Sequence, residues 1–138
     1  MRPGAPVGFG TLGGGLPWIG LPGNPVSTMV TFELFVRPAI RTMMGQTLPF
    51  RRAVPVAAEV AVRLGPKLQH FLRAVVTDGP AGPTVQLTGP QGSGILTSMI
   101  TANSLLVVPE GRHDIPAGTT LSAIRLDDPI CRDVPPFD

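Results

Sequence analysis

The sequence predicts a mixed α and β protein that is mostly β, in which a short strand, a loop and a helix precede a small β domain. Residues 16–44 combine a short apolar segment, a tight turn and a long apolar helix. Residues 53–126 instead show alternating apolar positions and short segments between turns, which is typical of a small sandwich or barrel. Between them, residues 46–52 contain a Pro and two adjacent Arg residues, and we interpret them as a linker.

The composition agrees with one folded domain, or a small domain joined to part of another. The chain has 138 residues, of which 43% are hydrophobic and 14% are charged. The 17 glycines and 17 prolines separate apolar runs and do not form a continuous tract, so a folded chain is favoured over disorder.

Charge and aromatic content exclude several classes of partner. The 11 basic and nine acidic residues give a net charge of +2, and there is no Tyr and one Trp. Basic and aromatic residues are not interleaved, so nucleic acid is not an expected partner. No apolar stretch approaches the ~20 residues that span a bilayer, and residues 1–10 lack the layout of a signal peptide. With a single cysteine, Cys131, that cannot form an internal disulfide, we expect a cytoplasmic protein.

The first part is predicted to be a strand followed by a helix. Residues 16–21 are expected to form a short buried strand. Asn24 is a good N-cap and Pro25 suits the first helical position, so a helix is predicted to begin here. Residues 26–36 are apolar around nearly the whole circumference, which predicts burial on most sides. Pro38 is expected to kink or break the helix before residues 39–44, which Gly45 ends.

The second part is predicted to be built from strands and turns. Alternating apolar residues over 54–64 indicate one half-buried strand, and Gly65-Pro66-Lys67 is expected to turn it into a hairpin with residues 68–77. Residues 95–100 are ambiguous between a helical turn and a loop. Further strands are predicted at residues 84–88, 104–108 and 119–126, with a loop at 110–118 and a loose tail at 127–138.

The segment GLPGNPVS is the strongest candidate binding motif. A Gly-rich turn that leads into a helix N-terminus offers free amides and a partial positive charge to an anion such as phosphate, carboxylate or molybdate. Gly23 would let a ligand approach the backbone, Asn24 offers an amide and Ser27 a hydroxyl. The alternative, equally weighted on spacing alone, is that Asn24 only caps the helix and Pro22 and Pro25 only shape the turn.

Two further features are weaker candidates. GPQGSG, residues 89–94, can present amides and the Ser93 hydroxyl to an anion, although such loops are usually only turns. Arg73 interrupts the apolar segment FLRAVV, and it is either a solvent-facing residue or an anion-binding guanidinium. His70 and His113 are far apart without a spaced ligand set, so no metal site is predicted. The residues alone do not make a complete active site.

Four ordered blocks resemble the C-terminal part of the molybdopterin molybdenumtransferases, the family of MoeA and the gephyrin E domain. The blocks are MRPGAPVGFG, GLPGNPVSTMVTFELFVRPAIRTMMG, FLRA and TGPQGSGILTSMITANSLLVVPEG, and the similarity covers residues 1 to about 126. The resemblance implies insertion of molybdate into adenylylated molybdopterin with release of AMP, assisted by Mg²⁺, in a cytoplasmic homodimer. It also implies that residues 1–45 are the last strand and helix of an α/β (MoaB/Mog-like) pterin-binding domain and that residues 53–126 form a β-clip or incomplete barrel.

The resemblance implies a set of cofactor-binding residues and one departure from the family. Ala5 stands where the PGKP segment of the family has Lys, which removes a cation, and Arg2 partly compensates. The implied binding residues are Arg2, Pro22, Gly23, Asn24, Pro25, Ser27, Arg73 and Ser93.

The resemblance further implies that the acidic residues for Mg²⁺ and cofactor lie upstream of Met1. We therefore expect a fragment or a truncated reading frame that is inactive alone. The alternative reading is a non-catalytic β module that serves assembly or scaffolding.

Overall fold

The computed structural model describes residues 1–65, 68–92 and 94–136, and it is mostly β. A hairpin comes first, followed by a helical segment, a closed five-stranded barrel and two further two-stranded ribbons. Pro66 and Lys67, where a hairpin turn is predicted, and Ser93 lie outside the described residues. Within the described residues, no helix combines the length and the apolar character needed to cross a bilayer.

The segment before the helix is an exposed antiparallel hairpin and not a single buried strand. Strand β1 (Gly8–Leu12) pairs with β2 (Leu16–Gly20), and the turn Gly13–Gly15 joins them. The prediction of a buried strand is wrong because no third strand covers this pair among the described residues, and Leu16 is 60% exposed. Short apolar runs look alike in sequence whether or not a neighbour covers them.

The helical segment begins and ends where the sequence predicts. Helix α1 (Pro25–Thr31) and helix α2 (Arg37–Met43) are joined by a π-helical stretch, Phe32–Val36. The predicted kink or break therefore takes the form of wider π spacing, which accommodates Pro38 without ending the helix. Gly45 adopts a φ of +79° that completes the helix end.

The helical segment buries one face only. Val26, Val30 and Leu34 are buried at the spacing of successive helical turns, whereas Met29 and Phe32 are exposed. The expectation of burial on most sides is therefore wrong for this chain, because within the described residues the barrel covers the helix from a single side.

The β domain is a closed barrel and not the predicted incomplete one. The barrel strands are β4 (Ala53–Ala58), β6 (His70–Thr77), β7 (Thr84–Leu87), β8 (Ser104–Val108) and β10 (Thr120–Arg125). They follow the order β10-β4-β7-β6-β8, and each pairs with both neighbours. A parallel contact between β4 and β7 closes the ring, with Ala57 opposite Thr84 and Ala58 opposite Val85.

The predicted strand over 54–64 is divided in two. Strand β4 leaves the barrel after Ala58, and β5 (Val62–Arg63) pairs with β9 (Asp114–Ile115) in a separate ribbon. The predicted hairpin with β6 is therefore wrong, and the predicted loop at 110–118 contains a short strand. The alternating pattern wrongly predicts one continuous strand, because Val60 at the bend is apolar and continues the pattern while its side chain is exposed.

Two cores lie on opposite sides of the barrel wall. On β6, Leu72, Ala74 and Val76 belong to the core inside the barrel, whereas Phe71 packs in a second core with the helical segment. On β8, Leu106 belongs to the core inside the barrel and Leu105 to the core with the helical segment. These two strands are consequently buried on both faces. The ambiguous residues 95–100 contribute most of a short helix, α3 (Thr97–Thr101), which contacts β6.

The described part of the tail is docked. Strand β11 (Cys131–Arg132) pairs with β3 (Phe50–Arg51), and Asp128 forms an ion pair of 2.5 Å with Arg52. The prediction of a loose tail is wrong because Pro-rich composition does not reveal a pairing with residues eighty positions earlier. Residues 46–52, predicted as a linker, supply the partner strand.

Candidate functional site

A cleft of about 630 Å³ lies where the N-terminal segment, the start of α1 and the barrel meet. Arg2 and Ala5 line it from the N-terminal segment, Ser27 from α1, and Arg73 from the barrel strand β6. Arg63, on the separate ribbon, also lines it. The cleft therefore combines residues that lie up to ninety positions apart in sequence.

The N-terminal segment is fastened to the barrel by its backbone. The amide of Arg2 donates to the Gln69 carbonyl at 2.8 Å, and its carbonyl accepts from the Phe71 amide at 2.9 Å. Gly4 passes so close to α1 that a Cβ there would lie 2.7 Å from Thr31. Its φ of +123° also disfavours any other residue. These contacts fix Arg2 and Ala5 at one wall of the cleft.

Arg73 is the most unusual side chain of the cleft, because it is fully buried. Its Nε donates to the Ser98 hydroxyl at 3.0 Å and its Nη2 donates to the Gly92 carbonyl at 3.0 Å. Its Nη1 is buried without a hydrogen-bond partner. Burial lowers the pKa of Arg73 from its ordinary value, because the charged form loses hydration. A buried guanidinium with one unused nitrogen is suited to an anionic ligand.

Gln91 and Ser98 hold Arg73 in place. The Gln91 side chain accepts from the Arg73 amide at 2.8 Å and donates to the Arg73 carbonyl at 3.1 Å, as a neighbouring strand would. Ser98 accepts from the guanidinium and donates to the Ile95 carbonyl at 2.5 Å. The backbone and the side chain of Arg73 are thus both restrained before any ligand binds.

The charge of the cleft is positive. Arg2, Arg63 and Arg73 line it together with His70, whose Nε2 lies 3.3 Å from the Gly65 carbonyl oxygen. None of the described residues that line it is Asp or Glu. A positively charged concave surface with hydroxyl and amide groups has the chemistry of an oxyanion site.

Two amides of the first turn of α1 are used within the chain. Asn24 Oδ1 accepts from the amides of Val26 at 3.2 Å and Ser27 at 3.5 Å. The Thr28 hydroxyl donates to the carbonyls of Pro22 and Asn24. Asn24 therefore caps α1, and ligand contact by Asn24 stays a prediction. Within the GLPGNPVS segment, only Ser27 is among the residues that line the cleft.

The structure brings together three of the predicted site residues, Arg2, Ser27 and Arg73. The solvent-facing reading of Arg73 is wrong, since α3 and the loop before it cover the outer face of β6. Ser93 lies outside the described residues, next to Gly92, and its role stays a prediction. Pro22, Gly23, Asn24 and Pro25 are not among the residues that line the cleft.

Sequence reasoning missed four residues of this site: Arg63, His70, Gln91 and Ser98. Only Gln91 had a signal, because it belongs to the GPQGSG block. Arg63 occupies a polar position of the alternating pattern over 54–64, which is typical of a solvent-facing strand residue. Ser98 lies within an apolar run. Their participation depends on contacts between distant segments, which the local pattern does not contain.

The described residues do not fit a Mg²⁺ site. In residues 1–65, 68–92 and 94–136, no three His, Cys, Asp or Glu side chains gather as metal ligands. The lining of the cleft by cations and the lack of carboxylates in its described wall also disfavour a divalent cation there.

The fold and the cleft define a closed five-stranded barrel domain with a buried arginine in the wall of a positively charged cleft. Residues 55–126 match the family described as the MoeA C-terminal region (domain IV). The match covers more than half of the chain, and the chain belongs to this family. The resemblance inferred from the four sequence blocks is thereby confirmed.

Curated relatives extend the similarity beyond the barrel. Molybdopterin molybdenumtransferase 2 of Mycobacterium tuberculosis is 40% identical over 123 residues, which is 88% of this chain and 29% of that protein. Molybdopterin molybdenumtransferase of Staphylococcus aureus is 32% identical over 124 residues, 90% of this chain and 29% of the relative. The chain thus spans about three tenths of the length of these relatives.

Solved structures show the same fold. The molybdopterin biosynthesis moeA protein of Pyrococcus horikoshii superposes with a TM-score of 0.69 at 25% identity, over 90% of this chain and 30% of that chain. A molybdenum cofactor biosynthesis protein of Pyrococcus furiosus gives a TM-score of 0.68 at 26% identity, over 90% of this chain and 42% of that chain.

Proposed function

We propose that this chain acts in molybdenum cofactor biosynthesis as part of a longer enzyme that inserts molybdate into adenylylated molybdopterin and releases AMP. The observation that supports the proposal most is the unpaired Nη1 of the buried Arg73 in a cationic cleft. Membership of the MoeA family and the names of the curated relatives support the same reaction.

In this proposal the residues of the chain bind and orient the anionic substrate. Arg73 Nη1 donates to an oxygen of molybdate, because a charge-assisted hydrogen bond is stronger than one between neutral groups. The Ser27 hydroxyl supplies a neutral donor and Arg2 adds positive charge at the N-terminal wall. Asn24, with its neighbours in the PGNP turn, places Ser27 by capping α1.

The reacting groups outside this chain complete the proposed site. The resemblance also implies Mg²⁺, for which the described residues hold no ligand set. A homodimer and a cytoplasmic location remain predictions that follow from the resemblance.

A chimeric enzyme tests the proposed reaction. The 123-residue segment of the Mycobacterium tuberculosis relative would be replaced by the matching segment of this chain. With adenylylated molybdopterin, molybdate and Mg²⁺, we expect molybdate-dependent AMP release that Arg73→Met abolishes. The matched control is Arg112→Gln, which removes an exposed charge that does not line the cleft and should leave the rate unchanged.

A second function is favoured by one observation, the presence of Ala5 at the cleft wall. The resemblance implies Lys at this position, so the cleft holds one cation fewer than expected. A non-catalytic module for assembly or scaffolding would not need that cation. A folded chimera that releases no AMP, and that Ala5→Lys does not rescue, would favour this second function and contradict the first.

A further inference from the structure

Arg63 is a cation of the cleft to which the proposed function assigns no role. It lies on the β5–β9 ribbon, outside the closed barrel, and its side chain is 92% exposed. It nevertheless lines the same cleft as the fully buried Arg73. Arg73 is therefore fixed within the protein, whereas Arg63 is a solvated charge that can move.

Asp114 is the charged partner of Arg63 across the ribbon. The two residues are directly opposite in the antiparallel register, and Arg63 Nε lies 3.8 Å from Asp114 Oδ1. The Asp114 side chain is 83% exposed, so water screens the pair. Exposed ion pairs with such separations are weak and exchange readily with other charged partners. The guanidinium is thus available to a stronger anion at low energetic cost.

We propose that Arg63 is a second anion-binding residue of the cleft, and that Asp114 competes with the bound anion for it. This inference rests on the proposed function. It assigns to Arg63 the role of a charge that changes its partner when the ligand binds. An anion held by Arg73 places negative charge within the cleft that Arg63 lines, so the guanidinium gains a partner there and leaves Asp114. Before binding, Asp114 restrains Arg63 and reduces the positive potential of the cleft.

A double-mutant cycle with molybdate as the probe tests this competition. Molybdate would be titrated calorimetrically into the full chain at low ionic strength, where exposed charges are least screened. Arg63→Gln should weaken binding roughly threefold and Asp114→Asn should tighten it roughly threefold, as expected for an exposed pair. In the Arg63→Gln background, Asp114→Asn should have no effect.

A control separates the pairing from a general change of charge. Glu110→Gln removes an exposed negative charge from the loop between β8 and β9 that does not line the cleft, and should leave the affinity unchanged. If Asp114→Asn tightens binding equally with and without Arg63, the charge of Asp114 acts on the anion directly at long range, and the proposed competition is wrong. An affinity that does not respond to Arg63→Gln overturns the inference as well.

The outcomes also distinguish this inference from the proposed function. If the unchanged chain binds molybdate and Arg73→Met abolishes binding while both ribbon variants behave as the unchanged chain, only the inference fails. If the unchanged chain binds no molybdate, the inference fails, and molybdate-dependent AMP release by the chimera decides the proposed function separately. Both ribbon side chains are exposed, so the variants are expected to keep the fold, which circular dichroism would check.

Discussion

Arg73 shows how a single residue can be identified in sequence while its environment cannot. Its position in FLRAVV marks it as either a surface residue or an anion-binding residue. Successive side chains of a strand point to opposite faces, so Arg73 lies on the face opposite to that of Leu72 and Ala74. Which alternative holds depends on α3 and on residues 89–92, which cover the outer face of β6. Local patterning contains no information about that cover, and so burial could not be predicted.

Asn24 was the residue for which the sequence left capping and ligand contact equally open. The structure shows the capping hydrogen bonds, and their formation was predictable because Asn before Pro at a helix start has few other roles. The position of Asn24 outside the cleft lining was not predictable, because it depends on how α1 meets the barrel.

Replacing Asn24 by Ala should destabilise the fold without changing ligand affinity. The free energy of unfolding should fall by about 1 kcal/mol, because two helix amides lose their acceptor. Urea denaturation measures the first quantity and molybdate titration the second. Asn24→Ser retains a capping oxygen and should restore most of the stability. A loss of affinity in Asn24→Ala at unchanged stability would instead place Asn24 in contact with the ligand.

At the scale of elements, strand positions were easier to predict than strand partners. Strand β8 occupies the predicted residues, and the strands over 68–77, 84–88 and 119–126 are shorter than predicted by one or two residues at an end. The pairing of β5 with β9 and the parallel contact that closes the barrel were missed. Alternation determines which face of a strand is buried, but not which strand lies beside it.

Asn103 joins two elements where the strand ladder is interrupted. Its Oδ1 accepts from the Val76 amide at 2.8 Å and its Nδ2 donates to the Val76 carbonyl at 2.9 Å. The side chain thus replaces a backbone partner for the end of β6. Because Val76 is buried, water cannot easily satisfy these groups if the side chain is removed.

Asn103→Ala should therefore lower the free energy of unfolding by about 1–3 kcal/mol, the cost of leaving buried polar groups unpaired. Asn103→Asp keeps the acceptor for the amide and loses the donor, so an intermediate or equal loss is expected. Gln86→Ala, at an exposed position of β7, serves as the control and should have little effect. Equal stability of Asn103→Ala and the unchanged chain in urea would contradict this role.

For the whole molecule, the most consequential feature is the apolar surface that the chain leaves exposed. The Phe9 ring of the hairpin meets the Phe35 ring edge-on at 5.9 Å, so the hairpin and the helical segment are joined. Large exposed apolar side chains lie on both: Phe9, Leu12, Leu16, Trp18, Met29, Phe32, Ile40, Met43 and Met44. The sequence predicted burial on most sides of the helix, and the exposed Met29 and Phe32 belong to the surface that this chain leaves uncovered.

This surface should cause self-association of the chain. Because burial of large apolar side chains is favourable by about 1.5–3 kcal/mol each, we expect the weight-average mass to rise with concentration in sedimentation experiments. The double variant Leu16→Ser and Met43→Ser should shift the mass toward that of a monomer. Ile100→Ser on α3 removes an exposed apolar group elsewhere and should not. A monomer at every concentration would contradict the prediction.

The proposed function depends on a buried guanidinium that is present for an anion and not for stability. Replacement of a buried charge by an apolar side chain of similar size often leaves stability unchanged or raises it. In Arg73→Met, no buried donor would lose its acceptor, since Ser98 continues to donate to the Ile95 carbonyl. Stability and anion binding are therefore expected to separate in this variant.

Calorimetric titration of molybdate into the unchanged chain and into Arg73→Met, each paired with a thermal unfolding curve, measures both quantities. We expect the unchanged chain to bind and the variant to bind at least about tenfold more weakly, the cost of a charge-assisted hydrogen bond, with an equal or higher Tm. Equal molybdate affinity in a folded Arg73→Met chain would contradict the account.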